Sequence, residues 1–144
     1  MALSAQTDPL RATNFLVEID GITRSRFVSV SGLGSEVDVV EEREGTDPRH
    51  SHKVAGTTHT QNLVLRWPSD DNTELTDWHQ RILEGQPDRR NASIVLLDET
   101  GSARIRWNII AAWPAKWEGP SLNAESNDIA IETIELAHEG ITRG

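Results

Sequence analysis

The longest period of two in the chain runs from Ala103 to Trp113. Ala103, Ile105, Trp107, Ile109, Ala111 and Trp113 hold every odd position, with Arg104, Arg106 and Asn108 on even ones. A period of two over this length fits an extended strand with one dry face and one wet face, because successive Cβ atoms point to opposite sides of a pleated backbone. Such a strand needs an apolar layer to lie against, and the rest of the chain must supply it. Pro114 is expected to break the strand, and Lys116-Trp117-Glu118-Gly119-Pro120 to form an irregular joint. A last strand then begins near Ile129. Its apolar residues Ile129 and Ile131 are odd, whereas Ile134 and Leu136 are even. That slip at Glu132-Thr133 predicts a β-bulge, or a strand that leaves one sheet and joins another. The stretch from Trp107 to Ile141 holds three of the five tryptophans and reads as a hairpin-like core with an awkward joint.

The partners for this core come earlier in the chain. Residues 1–13 are polar, contain Asp8-Pro9 and read as an extended N-terminal segment. Phe15, Val17 and Ile19 alternate with Leu16, Glu18 and Asp20 up to the Asp20-Gly21 turn, and a second short strand covers about Phe27 to Ser31. A third runs from about Glu36 to Glu44, with Val37 and Val39 on one face and Glu36, Asp38, Glu42 and Glu44 on the other. Residues 45–60 show neither helical nor strand periodicity and are expected to be a long loop, the first place to look for an interface. Leu63, Leu65 and Trp67 mark another strand. The single helix is expected over residues 70–85, where Leu75, Trp78, His79, Ile82 and Leu83 share a face. Asp71 and Glu74 suggest a capping box, and Gly85 the stop. Ser93 to Leu97 is apolar on both faces and is expected to be the most central strand.

Composition narrows the function. The 144 residues suit a single domain, 1–144, mainly β with one α-helix. A net charge of −9 disfavours a binder of nucleic acid or of anionic membranes, which need a basic footprint. The absence of cysteine removes disulfides, thiolate metal sites and a cysteine nucleophile. MALSAQTDPL has no basic and apolar leader, and no apolar run is long enough to span a bilayer, so synthesis in the cytoplasm without a membrane anchor is expected.

Few constellations carry chemistry. His50, His52 and His59 suggest an imidazole metal site, but no fourth ligand stands at standard spacing, so they read as solvated loop residues and no metal or cofactor is expected. His79 and His138 read as structural. Asp38, Glu41, Glu42 and Glu44 lie on a solvated strand rather than in the two contrasting environments that a hydrolase needs. Trp107 and Trp113 share the apolar parity of their strand. Trp117, on the joint, is left open as a platform for a sugar ring. No catalytic residues are assigned, and the chain reads as non-enzymatic. A carbohydrate-binding β-sandwich module is the alternative to a structural building block, with a carboxylate hydrolase further behind.

The order of motifs goes further. NFLVEIDG, RFVSVSGL, VVEEREGTDP, ELTDWHQRILEGQPDRRNASIVLLDETG and RWNIIAAWPAKWEGPSLNAESNDIAIETIELAHEGI together resemble the inner tail tube protein family of contractile phage tails and phage-derived contractile injection systems. The resemblance covers roughly Asp8 to Ile141. It implies a β-sandwich-like or barrel-like subunit whose strands are pooled, on assembly, into a ring-wide β-barrel. Six subunits would form a ring, and stacked rings a tube around a channel for DNA or protein cargo. Implied partners are further copies of the chain, a sheath protein, a baseplate hub or tube-initiating paralogue, a tail terminator and transient cargo. The particle would be a phage tail or a phage-tail-like assembly that acts outside the cell. On this resemblance Asp47, Pro48, Arg49, His50 and Val54 belong to a loop reaching a neighbouring subunit. Asp38, Glu42 and Glu44 become candidates to line the channel and repel polyanions. Trp113, Pro114, Trp117, Gly119 and Pro120 form the structural joint between two sheets.

Overall fold

The computed structural model describes residues 9–43, 45 and 51–144. Nine strands and one helix follow one another among them. They are β1 (Phe15–Ile19), β2 (Ser29–Ser31), β3 (Ser35–Arg43), β4 (Ser51–Thr60), β5 (Leu63–Pro68), α1 (Glu74–Leu83), β6 (Arg90–Leu97), β7 (Ala103–Glu118), β8 (Ile131–Ala137) and β9 (Gly140–Arg143). Seven strands join in the order β1-β6-β7-β8-β5-β2, with β9 also on β7, and β3 pairs only with β4.

β7 is the hub. Its first half pairs with β6 and β9, and its second half with β8, which continues to β5 and β2. Val17, Ile19, Ala92, Ile94 and Ile109 from the first layer meet Leu63, Leu65, Trp67, Ile134 and Leu136 from the second in one buried cluster. β6, expected at the centre, lies between β1 and the hub. It looked doubly buried because Val95 is covered on the face opposite Ala92 and Ile94.

One strand serves two layers only if it bends, and β7 bends at a defined place. Its register with β6 shifts between Arg90 and Ala92. Opposite that shift Ala111 has φ 52°, a left-handed conformation that costs an L residue roughly 1–2 kcal/mol. The Asn91 side-chain carbonyl accepts the Ala111 amide at 3.1 Å, and the Ile110 carbonyl accepts the Glu139 amide at 2.9 Å. Before this bulge the buried position is Ile109; after it, Ala112 and Pro114. The odd parity thus ends at Ile109, short of Trp113.

Two further expectations along this strand are corrected. Pro114 does not break it, since β7 runs through to Glu118. Its missing N–H falls where the register with β8 shifts, between Pro114 and Lys116, and a sheet tolerates proline at such an irregularity. Nor does the chain slip at Glu132-Thr133. β8 pairs with β5 in unbroken register from Leu63–Leu136 to Pro68–Ile131. Ile129 misled the parity because it lies outside the strand, exposed in the connection 119–130.

Residues 45–60 are not all loop: Ser51–Thr60 is β4, antiparallel to β3. Both strands of this hairpin are almost wholly exposed, so no buried face imposed a hydrophobic period on β4. Its β-branched residues Val54, Thr57, Thr58 and Thr60 favour extension all the same. The register shifts between Val37 and Val39, opposite Gly56. A Cβ on Gly56 would come within 2.8 Å of the Val40 side chain.

α1 starts at Glu74, four residues later than expected, with Thr73 as N-cap and no side-chain cap bond. The capping box fails because Glu74 is engaged elsewhere: its carboxylate accepts the Thr23 amide at 3.0 Å and tethers the helix to the segment after β1. At the other end Gln86 N–H donates to the Arg81 carbonyl and Gly85 N–H to that of Ile82, both at 3.0 Å. With Gly85 at φ 81°, this is a Schellman stop. Leu75 and Trp78 enter the core, each contributing roughly 1.5–3 kcal/mol by burial.

Candidate assembly surfaces

The hairpin β3–β4 is the part of the molecule that its own core leaves uncovered. Val37, Val39, Val40 and Val54 are all exposed, Val39 by 65 %. Alternation along β3 puts Val37 and Val39 on one face, with Ala55 and Thr58 opposite them. Glu36, Asp38 and Glu42 lie on the other, beside the facing pair Val40 and Val54. His59 is paired across from Glu36 and His52 across from Glu42. His59 Nε2 meets Asp38 Oδ2 at 2.9 Å. That hydrogen bond, and the charge of Asp38, raise the histidine above its ordinary pKa of 6.5.

The sequence-derived candidates sort accordingly. Asp38 and Glu42 share the acidic face, and Val54 belongs to β4. Glu44, Asp47, Pro48, Arg49 and His50 lie outside the described residues. Among the described residues no group of three or more His, Asp or Glu is placed to hold a metal ion.

The joint residues are drawn together along β7. Trp113 is half-buried opposite Ala137, and Pro114 is buried opposite Leu136. The Pro114 carbonyl accepts a hydrogen bond from His79 Nδ1 at 3.0 Å, which pins the helix to the joint. Trp117 is 40 % exposed and donates from Nε1 to Glu132 at 3.2 Å. Gly119 lies against its ring, where a Cβ would approach to 3.2 Å, and Pro120 follows β7, half-buried. His138 lies between two carbonyls, its Nδ1 3.1 Å from that of Gly140 and its Nε2 2.9 Å from that of Gln61, where β8–β9 meets the β4–β5 turn.

The segment Asp88-Arg89-Arg90-Asn91 acts as a structural clasp. Asp88 accepts from Arg81 Nε at 2.8 Å and from Arg90 Nη2 at 3.0 Å. Its backbone carbonyl accepts from Trp78 Nε1 at 2.8 Å. The Arg90 guanidinium lies 5.1 Å from the Trp78 ring centroid and also bonds the Asp20 carbonyl. Arg89 pairs with Glu139, and Asn91 holds the β7 bulge. Helix, bulge and β8–β9 kink are thus tied through four consecutive residues.

Sequence reasoning missed two exposed apolar residues in the connection 119–130: Leu122, 84 % exposed, and Ile129, 73 % exposed. For Leu122 the available signal was an isolated apolar residue in a Gly-Pro-Ser-Asn setting. Reasoning also missed an apolar groove of about 270 Å³ between β1, β2, β6 and β7, which no local pattern encodes.

A folded β domain with a buried core and a hairpin exposed on both faces presents surfaces suited to association. The family model for the T4-like virus tail tube protein gp19 matches residues 11–142, and the chain belongs to that family. Among solved structures, a chain of the PVC sheath–tube complex of an extracellular contractile injection system, in its extended state, is 30 % identical. It superposes with a TM-score of 0.89, covering 100 % of this chain and 98 % of that one. The PVC sheath/tube terminator contains a chain 31 % identical, TM-score 0.87, with 95 % and 97 % covered. The tube-terminating cap of the anti-feeding prophage contains one 27 % identical, TM-score 0.86, with 100 % and 99 % covered. Among curated protein sequences no match is found. The protein is a structural subunit of the tail tube type, mainly β with one helix, and its sheets are not closed within the single chain.

Proposed function

We propose that the protein forms the inner tube of a contractile particle, as rings of six stacked around a channel, and that it performs no chemistry itself. The observation that carries this reading is the hairpin β3–β4, whose two strands are exposed on both faces while apolar residues from all the longer strands of the seven-stranded sheet enter the core. Two such strands, with open edges and exposed valines, are a liability in a free monomer. They become an asset when neighbouring copies pair with them and close a barrel.

In that arrangement Asp38, Glu42 and Glu44 line the channel and repel DNA or acidic protein cargo. The face bearing Val37 and Val39 packs against a neighbouring subunit. Asp47, Pro48, Arg49, His50 and Val54 reach the next copy. Trp113, Pro114, Trp117, Gly119 and Pro120 set the angle between the layers, with Trp117 also able to pack on a neighbour. A sheath, a baseplate hub or initiating paralogue, and a terminator complete the particle. The sheath–tube, terminator and cap complexes named above support those partners by similarity. The chain is made in the cytoplasm and acts in a released particle.

Negative-stain microscopy of the purified protein tests the reading. Six-fold rings or tubes are expected. Val39→Asp should abolish them while leaving the urea midpoint of the subunit unchanged, because Val39 makes no core contact. A strict monomer at every concentration, binding glycans through Trp117, would sink the proposal in favour of a carbohydrate-binding module.

A further inference from the structure

The largest apolar exposures outside the hairpin lie on one connection, and an apolar hollow lies elsewhere on the same chain. In the connection 119–130 the turn is built from its own bonds. Ser126 N–H donates to the Asn123 carbonyl, Glu125 N–H to Asn123 Oδ1 and Asp128 N–H to Ser126 Oγ, each at 3.0 Å. Leu122 and Ile129 flank this turn and point at solvent, 84 % and 73 % exposed. A preorganised turn that presents two apolar side chains to water has a cost and no return inside the monomer.

The hollow is formed by Phe15, Val28, Leu33, Leu96 and Trp107 among others, opens to solvent and has a volume of about 270 Å³. Apolar cavities of about 150 Å³ take up a benzene-sized molecule, so one aliphatic side chain fits here with room for part of a second. Charge also matches. The connection carries Glu125 and Asp128 and no basic residue. Exposed Arg26, which donates to the Phe15 carbonyl at 3.4 Å, stands at the edge of the hollow. The two features cannot satisfy each other within one chain as folded, because Leu122 remains exposed. Two unlike, complementary patches on one chain define a heterologous contact, which propagates through successive copies instead of stopping at a dimer.

We infer that the 119–130 turn of one copy inserts Leu122, with Ile129 beside it, into the Val28–Leu33–Trp107 hollow of a second copy. This contact rests on the tube reading but is separate from the hairpin contacts, and it gives the connection a role as an assembly knob.

The absence of cysteine in the chain makes the test clean. Leu122→Cys and Val28→Cys are combined in one chain, which is assembled and gently oxidised. A disulfide forms only where Cα atoms come within about 4.4–6.8 Å, so a ladder of dimers, trimers and higher species on a non-reducing gel is expected. Each single variant should give no cross-link. Leu122→Asp in the full chain should lose at least ten-fold of the tube yield while keeping the wild-type urea midpoint. Tubes or rings without a ladder would overturn the contact and leave the tube reading standing. A dimer from Leu122→Cys alone would also overturn it, by showing that the turn meets its own copy. A chain that stays monomeric throughout would remove both.

Discussion

Replacing Asp88 by Asn probes the clasp that ties the helix to the sheet. The wild-type carboxylate accepts from Arg90 Nε and Nη2 at 3.1 and 3.0 Å and from Arg81 Nε at 2.8 Å. Asn keeps the shape and one acceptor oxygen but loses the charge and the second acceptor. Hydrogen bonds to charged groups contribute about 1.5–3 kcal/mol each in sheltered sites. Arg81 is 42 % exposed, so its share falls below about 1 kcal/mol through solvent screening. Arg90 is sheltered at 15 % and carries most of the effect. A loss of about 2 kcal/mol follows, which for a chain of 144 residues lowers Tm by about 5–8 °C. The Arg90 hydrogen bonds hold the Asp88 carboxyl below its ordinary 3.8. This stability is therefore fully present above that value and is lost as pH falls through the depressed one. Urea unfolding at fixed protein concentration, at about pH 7 and stepwise into acid, should show two midpoints that differ at neutrality and converge as the wild type is protonated. Equal midpoints at neutrality, or a gap that widens in acid, would refute the reasoning.

Other perturbations address the bulge, the tryptophans and the hairpin. At Ala111, φ 52° is hard for a β-branched residue and easy for Gly. Ala111→Val should lose about 2 kcal/mol and Ala111→Gly should match or exceed wild type in thermal melts; the reverse order would mean that the bulge relaxes. Trp78→Ala, at a fully buried site, should cost about 4 kcal/mol. Trp117→Ala, at a 40 % exposed site, should cost less than about 2 kcal/mol in the monomer and show its main effect in assembly. Unchanged tubes from Trp117→Ala would remove that residue from the joint. His59 should titrate above 6.5 by NMR, and Asp38→Asn should bring it down, since the Asp38 hydrogen bond is the main cause of the rise. The pairing contributes below about pH 6.5 and fades as pH rises through the folded value; a midpoint indifferent to Asp38→Asn would contradict the geometry.

What the sequence made legible follows from where burial writes a pattern. β1, β5 and the first half of β7 each bury one face, so Val17, Ile19, Leu63, Leu65 and Ile109 stand at the period that their strands require. The helix was readable because Leu75 and Trp78 face the core. β4 was not, because almost nothing in Ser51–Thr60 is buried and its pairing with β3 rests on backbone bonds that any polar sequence makes. The bend in β7 was misplaced because its cause is a backbone bond between Ala111 and the Asn91 side chain, 20 residues away. Short-range parity does not record such a bond. Of the candidate site, the acidic face was visible as alternating carboxylates on β3. The hollow draws its walls from four strands and has no linear signature.

The same distribution of burial separates folding from assembly. No residue of β3 or β4 belongs to the core cluster, and among the described residues no buried side-chain polar atom lacks a hydrogen-bond partner. The subunit can therefore reach its fold without a neighbour, held by the β7 hub and the Asp88–Asn91 clasp. Among the described residues, exposed apolar surface lies on the hairpin, on the 119–130 turn and in the apolar hollow, with Leu83, Ile110 and Trp117 besides. A chain so divided can fold as a monomer before its copies meet. Defects should accordingly fall into two groups. Substitutions at Asp88, Trp78 or Ala111 should lower subunit stability, and substitutions at Val39 or Leu122 should leave it intact and stop growth.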